Sequence, residues 1–388
     1  MVNDTLKLTD QEVLQRAHTL LAEHLPLAAD GYSCTTDDLL DVLLGVAANC
    51  GTIEAVCADL VGIPDAETIR GYFNEQLRVE DLPELERRLN AAVAKEMPSR
   101  LWRQGRDVAI DGHDRPYYGK QAQAVGLWVR GQARDGTTRF YRVVTAYVML
   151  NNLRFTLVVR FVFPEEDTVQ VLRDVLERVK RLGIAIRRLF LDKGFAGTDV
   201  QEYLTGAGQP ALIACPIRGK TGGTRALCQG NKSYLTTHTF NSGSSRQWPA
   251  QLAVCRAFTT AGRTKRLKRR ATWLVFILIH LHLSPRQARR LYRRRFGIES
   301  SYRCAGDVRG WTTSPNPAYR FVLLALSFVL LNVWTHLCWL FTQVPRRGGR
   351  WLDVRRLRLS RFAKFIIRAL ERRYGCVHEI AAPALARP

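Results

Sequence analysis

From residue 107 onward the spacing of apolar residues alternates between period two and the helical period, and this limits the available folds more than any other feature. Val108-Ala109-Ile110 is a short buried run ending in Asp111-Gly112-His113. Residues 126–130 form a second strand candidate. Residues 139–150 and 153–163 are rich in Val, Phe, Tyr and Thr and meet at Asn151-Asn152. An Asn-Asn pair tolerates the left-handed conformations that a two-residue hairpin requires. Residues 167–182 then place Val169, Leu172, Leu176 and Val179 on one helical face, and Gly183 stops the helix. Residues 188–191 return to a strand that ends in Asp192, followed by a short helix at 198–206 and a strand at 211–215. Strands interleaved with helices predict an α/β fold, a mixed sheet with flanking helices.

The pattern changes twice more. Residues 216–262 are rich in Gly, Ser, Thr and Asn, with β-like runs at 234–240 and 252–258, and read as a β-rich insertion. Residues 271–283 are an apolar run expected to be a buried central strand. Ser284 as N-cap and Pro285 at the first helical position then open a helix expected to run to about Arg303. Residues 1–100 read as an all-helical N-terminal domain, with capping residues ahead of each apolar stripe. Within it, residues 52–60, Gly62 and residues 66–73 resemble a helix-turn-helix, the alternative being a plain helical bundle. The resulting division is a helical domain at 1–100, an α/β domain at 101–215 and 263–345, the insertion at 216–262, and a basic helical segment at 346–388.

Charge narrows the class of partner. The formal net charge is +23, yet residues 1–100 carry 18 acidic and 8 basic side chains, and residues 261–388 carry 27 basic and 5 acidic. A body this basic seeks a polyanion, nucleic acid first and anionic membrane second. Basic runs at 263–270, 286–295 and 346–373 suit a DNA-backbone surface, where contacts give affinity without sequence information. In the last run, Leu352, Leu357, Leu359, Phe362, Phe365 and Ile366 interleave with arginines, predicting an amphipathic helix with its arginines outward. Nine scattered cysteines without a C-x-x-C pair, and no secretory signal, predict reduced, cytosolic chemistry. No nucleotide cofactor is expected. A phosphate loop ending in Gly219-Lys220-Thr221 would need Gly at position 214, where Ala214 stands.

Two acids stand at strand ends, Asp111 and Asp192, and neighbouring parallel strands would set them side by side. A third acid, Glu299, lies on the helix after the last strand, alone among Arg286, Arg289, Arg290, Arg293, Arg294 and Arg295. Its uses are an intrahelical ion pair with Arg295 or Arg303, or a metal ligand beside a phosphate backbone. Carboxylates of this kind suit hard divalent cations that keep positions open for phosphate.

The order of these parts resembles the ribonuclease-H-like catalytic domain of insertion-sequence DDE transposases, in particular the superfamily named after insertion sequence four. Three stretches carry the likeness. Residues 109–119, AIDGHDRPYYG, resemble the first-Asp block, and Leu191-Asp192-Lys193-Gly194-Phe195 resembles the second. Residues 292–299, YRRRFGIE, fit the Tyr-x2-Arg-x3-Glu signature. The signature continues with a Lys seven residues beyond the Glu, where this chain has Gly306.

The resemblance implies Mg²⁺-dependent strand cleavage at transposon ends and transfer of the 3′-hydroxyl into DNA. It further implies two ions, with Mn²⁺ able to substitute, held by catalytic Asp111, Asp192 and Glu299. Tyr292 and Arg295 would hold phosphates, with Arg303 and Lys193 as further phosphate contacts, and Trp248 would stack on a flipped base. Double-stranded DNA and a homodimeric synapse, in a prokaryotic nucleoid-associated setting, follow from the same likeness. Two alternatives stand beside it: a non-catalytic, transposase-derived DNA-binding protein, and a basic membrane protein anchored by the apolar residues 321–341. Against the anchor, Ser327, Asn332, Thr335 and His336 lie within that span, so a buried core helix is the preferred reading.

Overall fold

The computed structural model describes residues 7–98, 101–102, 104–119, 126–150, 153–220, 222–241, 246–261, 268–347 and 349–380, and for residues 149–150, 153, 259–261, 268–270, 296–301, 346 and 349–350 the backbone alone. The turn at Asn151-Asn152 and residues 263–267 of the first basic run lie outside the described residues.

The first part of the chain is helical, with α1 (Asp10–His24), α2 (Thr36–Ala48), α3 (Ile53–Asp59), α4 (Ala66–Gln76) and α5 (Leu82–Lys95). A minimal hairpin of β1 (Asp30–Gly31) and β2 (Cys34–Thr35) joins the first two helices. Helices begin where their caps stand. Thr9 and Thr35 form capping boxes with Glu12 and Asp38, and Thr52 and Asp65 cap α3 and α4. The outer face of α4 exposes Glu67, Asn74 and Glu75, while Arg70 is paired with Glu54. That face offers DNA phosphates little positive charge.

The chain then enters its sheet through β3 (Arg106–Pro116), β4 (Val129–Arg134), β5 (Thr137–Leu150) and β6 (Leu153–Val162). Next come α6 (Thr168–Arg181), β7 (Ile186–Leu191), α7 (Thr198–Gly206), β8 (Ala211–Cys215) and α8 (Gly223–Ala226). β9 (Tyr234–Phe240), β10 (Trp248–Ala261) and β11 (Lys268–Ile279) complete the sheet. Its order is β4-β5-β3-β7-β8-β11-β10-β9, with β6 also on β5. β3, β7 and β8 run parallel and the other pairs antiparallel. Residues 216–262, expected as a β-rich insertion, supply β9 and β10, which continue the main sheet outward from β11.

Beyond the sheet lie α9 (Pro285–Tyr292), a 3-10 turn (Arg293–Phe296), α10 (Gly297–Gly306) and α11 (Pro317–Phe341). A hairpin of β12 (Gln343–Arg346) and β13 (Gly349–Leu352) leads to α12 (Leu359–Tyr374). The single helix expected from Ser284 to about Arg303 is therefore broken at the 3-10 turn. The break coincides with tertiary anchors on that turn, described below.

α11 is long and apolar enough to cross a membrane, yet 89% of its most apolar stretch is buried inside the protein. It packs on α5, β6 and α2. Helix α5 in turn closes over β6, where Asn90 donates to the Val159 carbonyl at 2.7 Å and accepts from its N–H at 2.8 Å. The helical first part thus shares one apolar core with the sheet.

The uneven charge is used within the molecule. α12 buries Leu359, Phe362, Ile366 and Leu370, and packs against α1 and α2. Arg361, Lys364 and Arg368 face solvent as an amphipathic helix requires. Arg372 instead grips Asp10 at 2.7 and 2.5 Å, and Arg373 reaches the fully buried Asp41 at 2.5 Å. Acidic helices at one end of the chain neutralise basic residues at the other.

One close approach fixes the loop after α10. The Trp311 N–H donates to the Gly51 carbonyl at 2.8 Å, and a Cβ on Gly310 would lie 2.2 Å from Val46 Cγ1. Val46 is fully buried and β-branched, so it has no room to yield. Gly310→Ala is expected to cost about 1–3 kcal/mol by overpacking, seen as a lower melting temperature. An unchanged melting temperature would show that the α2 corner is looser than this.

Candidate active site

The site begins with strand register. β3 and β7 are parallel neighbours, paired from Arg106 and Ile186 up to Ile110 and Leu191. The next residues on each strand are Asp111 and Asp192. Strand spacing of about 4.8 Å therefore brings the two acids together at one rim. Asp192 leaves β7 as the cap of a 3-10 turn, Lys193–Phe195. Asp111 Oδ1 accepts from the Gly112 N–H at 3.0 Å.

Arg295 sits between them. Its Nη1 is 3.3 Å from Asp111 Oδ2, and its Nη2 donates to Asp192 Oδ1 at 3.1 Å. The side chain is buried, and its Nε and Nη1 have no hydrogen-bond acceptor among the described residues. The contact with Asp111 is thus an ion pair without hydrogen-bond geometry. Burial pushes the Asp111 carboxyl up to about 6; Arg295 opposes the shift and the Asp192 charge adds to it.

The turn that carries Arg295 is pinned on both sides. Its carbonyl accepts from the Tyr147 hydroxyl at 2.8 Å. The Tyr292 hydroxyl donates to the Leu191 carbonyl at 3.1 Å, one residue before Asp192. Tyr292 is buried against Phe276 with ring centroids 4.8 Å apart, so its hydroxyl steadies the end of β7 instead of facing solvent. Further on, the Tyr302 hydroxyl donates to the Asp111 carbonyl at 3.3 Å and lies 2.8 Å from Thr145 Oγ1, across the strand pair. The backbone of Glu299 is held between Arg295 and Tyr302, both anchored at the Asp111 rim, and its side chain lies outside the described residues.

The His113 ring stacks on Tyr302 with centroids 4.4 Å apart. Burial, then the charges of Arg115, Arg309 and Arg134, hold His113 down at about 4, so the ring is neutral at neutral pH. Among the described residues no cluster of three or more His, Cys, Asp or Glu side chains could hold a metal ion.

A cavity of about 370 Å³ opens beside Asp192 and is lined by Lys193, Trp273, Arg289, Tyr292 and Arg295 among others. Lys193 is exposed at its edge. Arg303 is also exposed, on α10, and does not line this cavity.

Trp248, expected as a stacking platform, is elsewhere. Leu191, Ile213, Ile277 and Leu252 stand level across β7, β8, β11 and β10. Trp248 is four residues below Leu252 on the side away from the rim, about 13 Å by strand rise, and packs against the core. The tryptophan at the rim is Trp273 on β11. Trp273 shares its strand face with the buried Val275, Ile277 and Ile279, so alternation did not mark it; its place near the start of β11, at the rim end, did.

A family model described as a transposase DDE domain matches residues 102–332. Among solved structures, the chain is similar to piggyBac transposase in a cryo-EM structure of its synaptic complex with hairpin DNA. The TM-score is 0.54 at 8% identity, over 95% of this chain and 78% of that one. At that identity the likeness concerns the fold, a ribonuclease-H-like mixed sheet flanked by helices. No curated protein sequence matches the chain.

Proposed function

The chain belongs to the transposase DDE domain family, and on that footing we propose that it cuts DNA at the ends of a mobile segment and joins the freed 3′-hydroxyl to DNA. The observation that carries this reading is the adjacency of Asp111 and Asp192 around a single buried guanidinium. The donor chemistry fits hard divalent cations such as Mg²⁺ or Mn²⁺: two neighbouring carboxylates at one rim supply oxygen ligands. Asp111 and Asp192 would hold a pair of ions, with Glu299 as third ligand from α10. When bound, such ions supply activation of a water or 3′-hydroxyl and stabilisation of the leaving oxygen.

The chain's own groups do the rest. Arg295 has two nitrogens, Nε and Nη1, without an acceptor among the described residues, so a scissile phosphate can take it over from the carboxylates. Lys193 flanks the same phosphate, and Trp273 offers a face to an unstacked base. Tyr292 and Tyr302 hold the two strand ends in place. A synapse of two ends calls for two copies of the chain.

The test is nicking of supercoiled plasmid DNA by the purified chain. Cleavage is expected with Mg²⁺ or Mn²⁺ and none with EDTA. DNA binding without cleavage in either metal would favour the non-catalytic reading, which Gly306 in place of the signature Lys already supports.

Arg295 gives a second expected result. Without metal, Arg295→Gln leaves two neighbouring carboxylates with no cation between them. Loss of one partner of a buried pair costs about 3–5 kcal/mol, and the partial exposure of Asp192 lowers this to roughly 2–3 kcal/mol. Mn²⁺ should then raise the melting temperature of Arg295→Gln more than that of the wild type. An equal rise in both would mean that Arg295 and the ion do not share the site.

A further inference from the structure

The sheet has two edges, and they are finished differently. At one edge β4 and β6 lie in tandem along the side of β5 that faces away from β3. Side chains from α5 and α11 take up the outward backbone groups of β6. Asn332 accepts from the Thr156 N–H and donates to its carbonyl, Asn90 does the same at Val159, and Glu86 accepts from the Phe161 N–H. β4 carries Arg130 and Arg134 with a register shift between them, and a charged, irregular strand resists further pairing.

The other edge is β9, which pairs with β10 alone. Among the described residues, the one group besides β10 that reaches its backbone is the Thr236 hydroxyl, which donates to the Thr237 carbonyl. Residues 233–245 contain no Lys, Arg, Asp, Glu or Pro, in a chain of net charge +23. Leu235 is 43% exposed, and Thr237 is exposed as well. A bare, uncharged strand edge is a template for another strand. The sequence of β9 selects which one. Tyr-Leu-Thr-Thr-His-Thr-Phe is self-complementary in the antiparallel sense. With Thr237 facing its own copy, Tyr234 meets Phe240, Leu235 meets Thr239 and Thr236 meets His238, aromatic and β-branched pairs of the kind that stabilise sheets. Charge selects the same partner. Two copies at +23 repel one another over much of their surface, and this edge is where their approach is least opposed.

Sheet twist relates this edge to the chemistry. β7, which ends at Asp192, is separated from β9 by β8, β11 and β10. Neighbouring strands turn by about 20–25°, so four steps set β7 at roughly a right angle to β9. A twofold axis that pairs β9 with its copy is perpendicular to the sheet at β9, and so runs nearly along β7. Rotation about that axis leaves the direction of β7 unchanged. Both Asp192 rims then face the same side, on the order of 40 Å apart across nine strand spacings of about 4.8 Å. We propose that β9 pairs antiparallel with β9 of a second copy, joining the two sheets and presenting both rims to one side. The pairing rests on the sheet edge; its use in bringing two DNA ends together rests on the DNA reading above. Seven residues per strand make a small interface, so association belongs in the micromolar range.

Sedimentation velocity of the purified chain, without DNA or metal, tests the pairing. The wild type is expected to pass from monomer to dimer over the micromolar range, and more readily at high salt, which screens the repulsion between copies. Thr237→Lys and Thr237→Glu each set like charges face to face at the twofold axis, and each is expected to weaken dimerisation about tenfold or more. An equimolar mixture of the two variants is expected to restore the dimer, because lysine then faces glutamate. Thr237 is exposed, so both variants should melt with the wild type, which separates lost pairing from lost folding. Dimerisation of Thr237→Lys at wild-type strength, or no restoration in the mixture, overturns the proposal, as does a wild type that stays monomeric throughout. Metal-dependent plasmid nicking would still leave the transposase reading intact in that event. Restoration in the mixture, from a chain that neither binds nor cleaves DNA, would keep the pairing and remove only that reading.

Discussion

Asp111→Asn is expected to abolish metal-dependent DNA cleavage, by about 10³-fold or more, while DNA binding stays within about threefold of the wild type. The side chain keeps its shape and loses its charge. Metal assistance contributes several kcal/mol at the transition state, and each 1.36 kcal/mol is a factor of ten in rate. Phosphate affinity comes from the basic surface, which the substitution leaves alone. The structure also predicts that this loss is not unfolding. Burial, with a smaller contribution from the Asp192 charge, pushes the Asp111 carboxyl up to about 6, so its charged form is held at a cost. Neutralising it removes that desolvation cost and leaves Arg295 paired with Asp192. The metal-free melting temperature should therefore hold or rise. Cleavage by the variant at the wild-type rate would remove Asp111 from the chemistry. Loss of binding together with cleavage would point to a structural role instead.

Asn332→Leu is expected to destabilise the chain by about 3–6 kcal/mol, most of the stability a typical domain possesses. Asn332 is fully buried in α11, and its amide is saturated. Oδ1 accepts from the Thr156 N–H, and Nδ2 donates to the carbonyls of Thr156 and Val93, each at 2.9 Å. Val93 lies in the last turn of α5, where carbonyls have no intrahelical donor. Leucine would orphan three buried backbone groups at about 1–3 kcal/mol each, with partial relief from added apolar contact. A melting curve and the soluble yield read the effect. The same substitution makes α11 a more apolar span. A chain that used this helix as a membrane anchor would therefore tolerate it, and an unchanged melting temperature would revive that reading.

Much of the site could be read from local signals. Asp111 and Asp192 each follow a short apolar run, and a carboxylate ending a buried strand has few places to go except the rim. Ser284 and Pro285 announce the start of α9 with a capping box and a first-turn proline. Trp248 and Trp273 show where such signals stop. Both are aromatic residues in strands packed against the core, and only the pairing register of β8, β11, β10 and β9 reveals which one lies at the rim end of the sheet. Arg295 is similar: the sequence offered it as an intrahelical partner of Glu299, but the 3-10 break aims it between two aspartates more than a hundred residues away.

What the linear sequence determined alone is the set of elements, their order and the chemistry each one carries, because periodicity, caps and turn residues act over a few neighbours. Tertiary structure decided which of those groups meet: the acidic helices with α12, Arg295 with both aspartates, and Gly310 with Val46. Such meetings depend on sheet register and on close packing between segments far apart in the chain, and neither leaves a mark in local spacing.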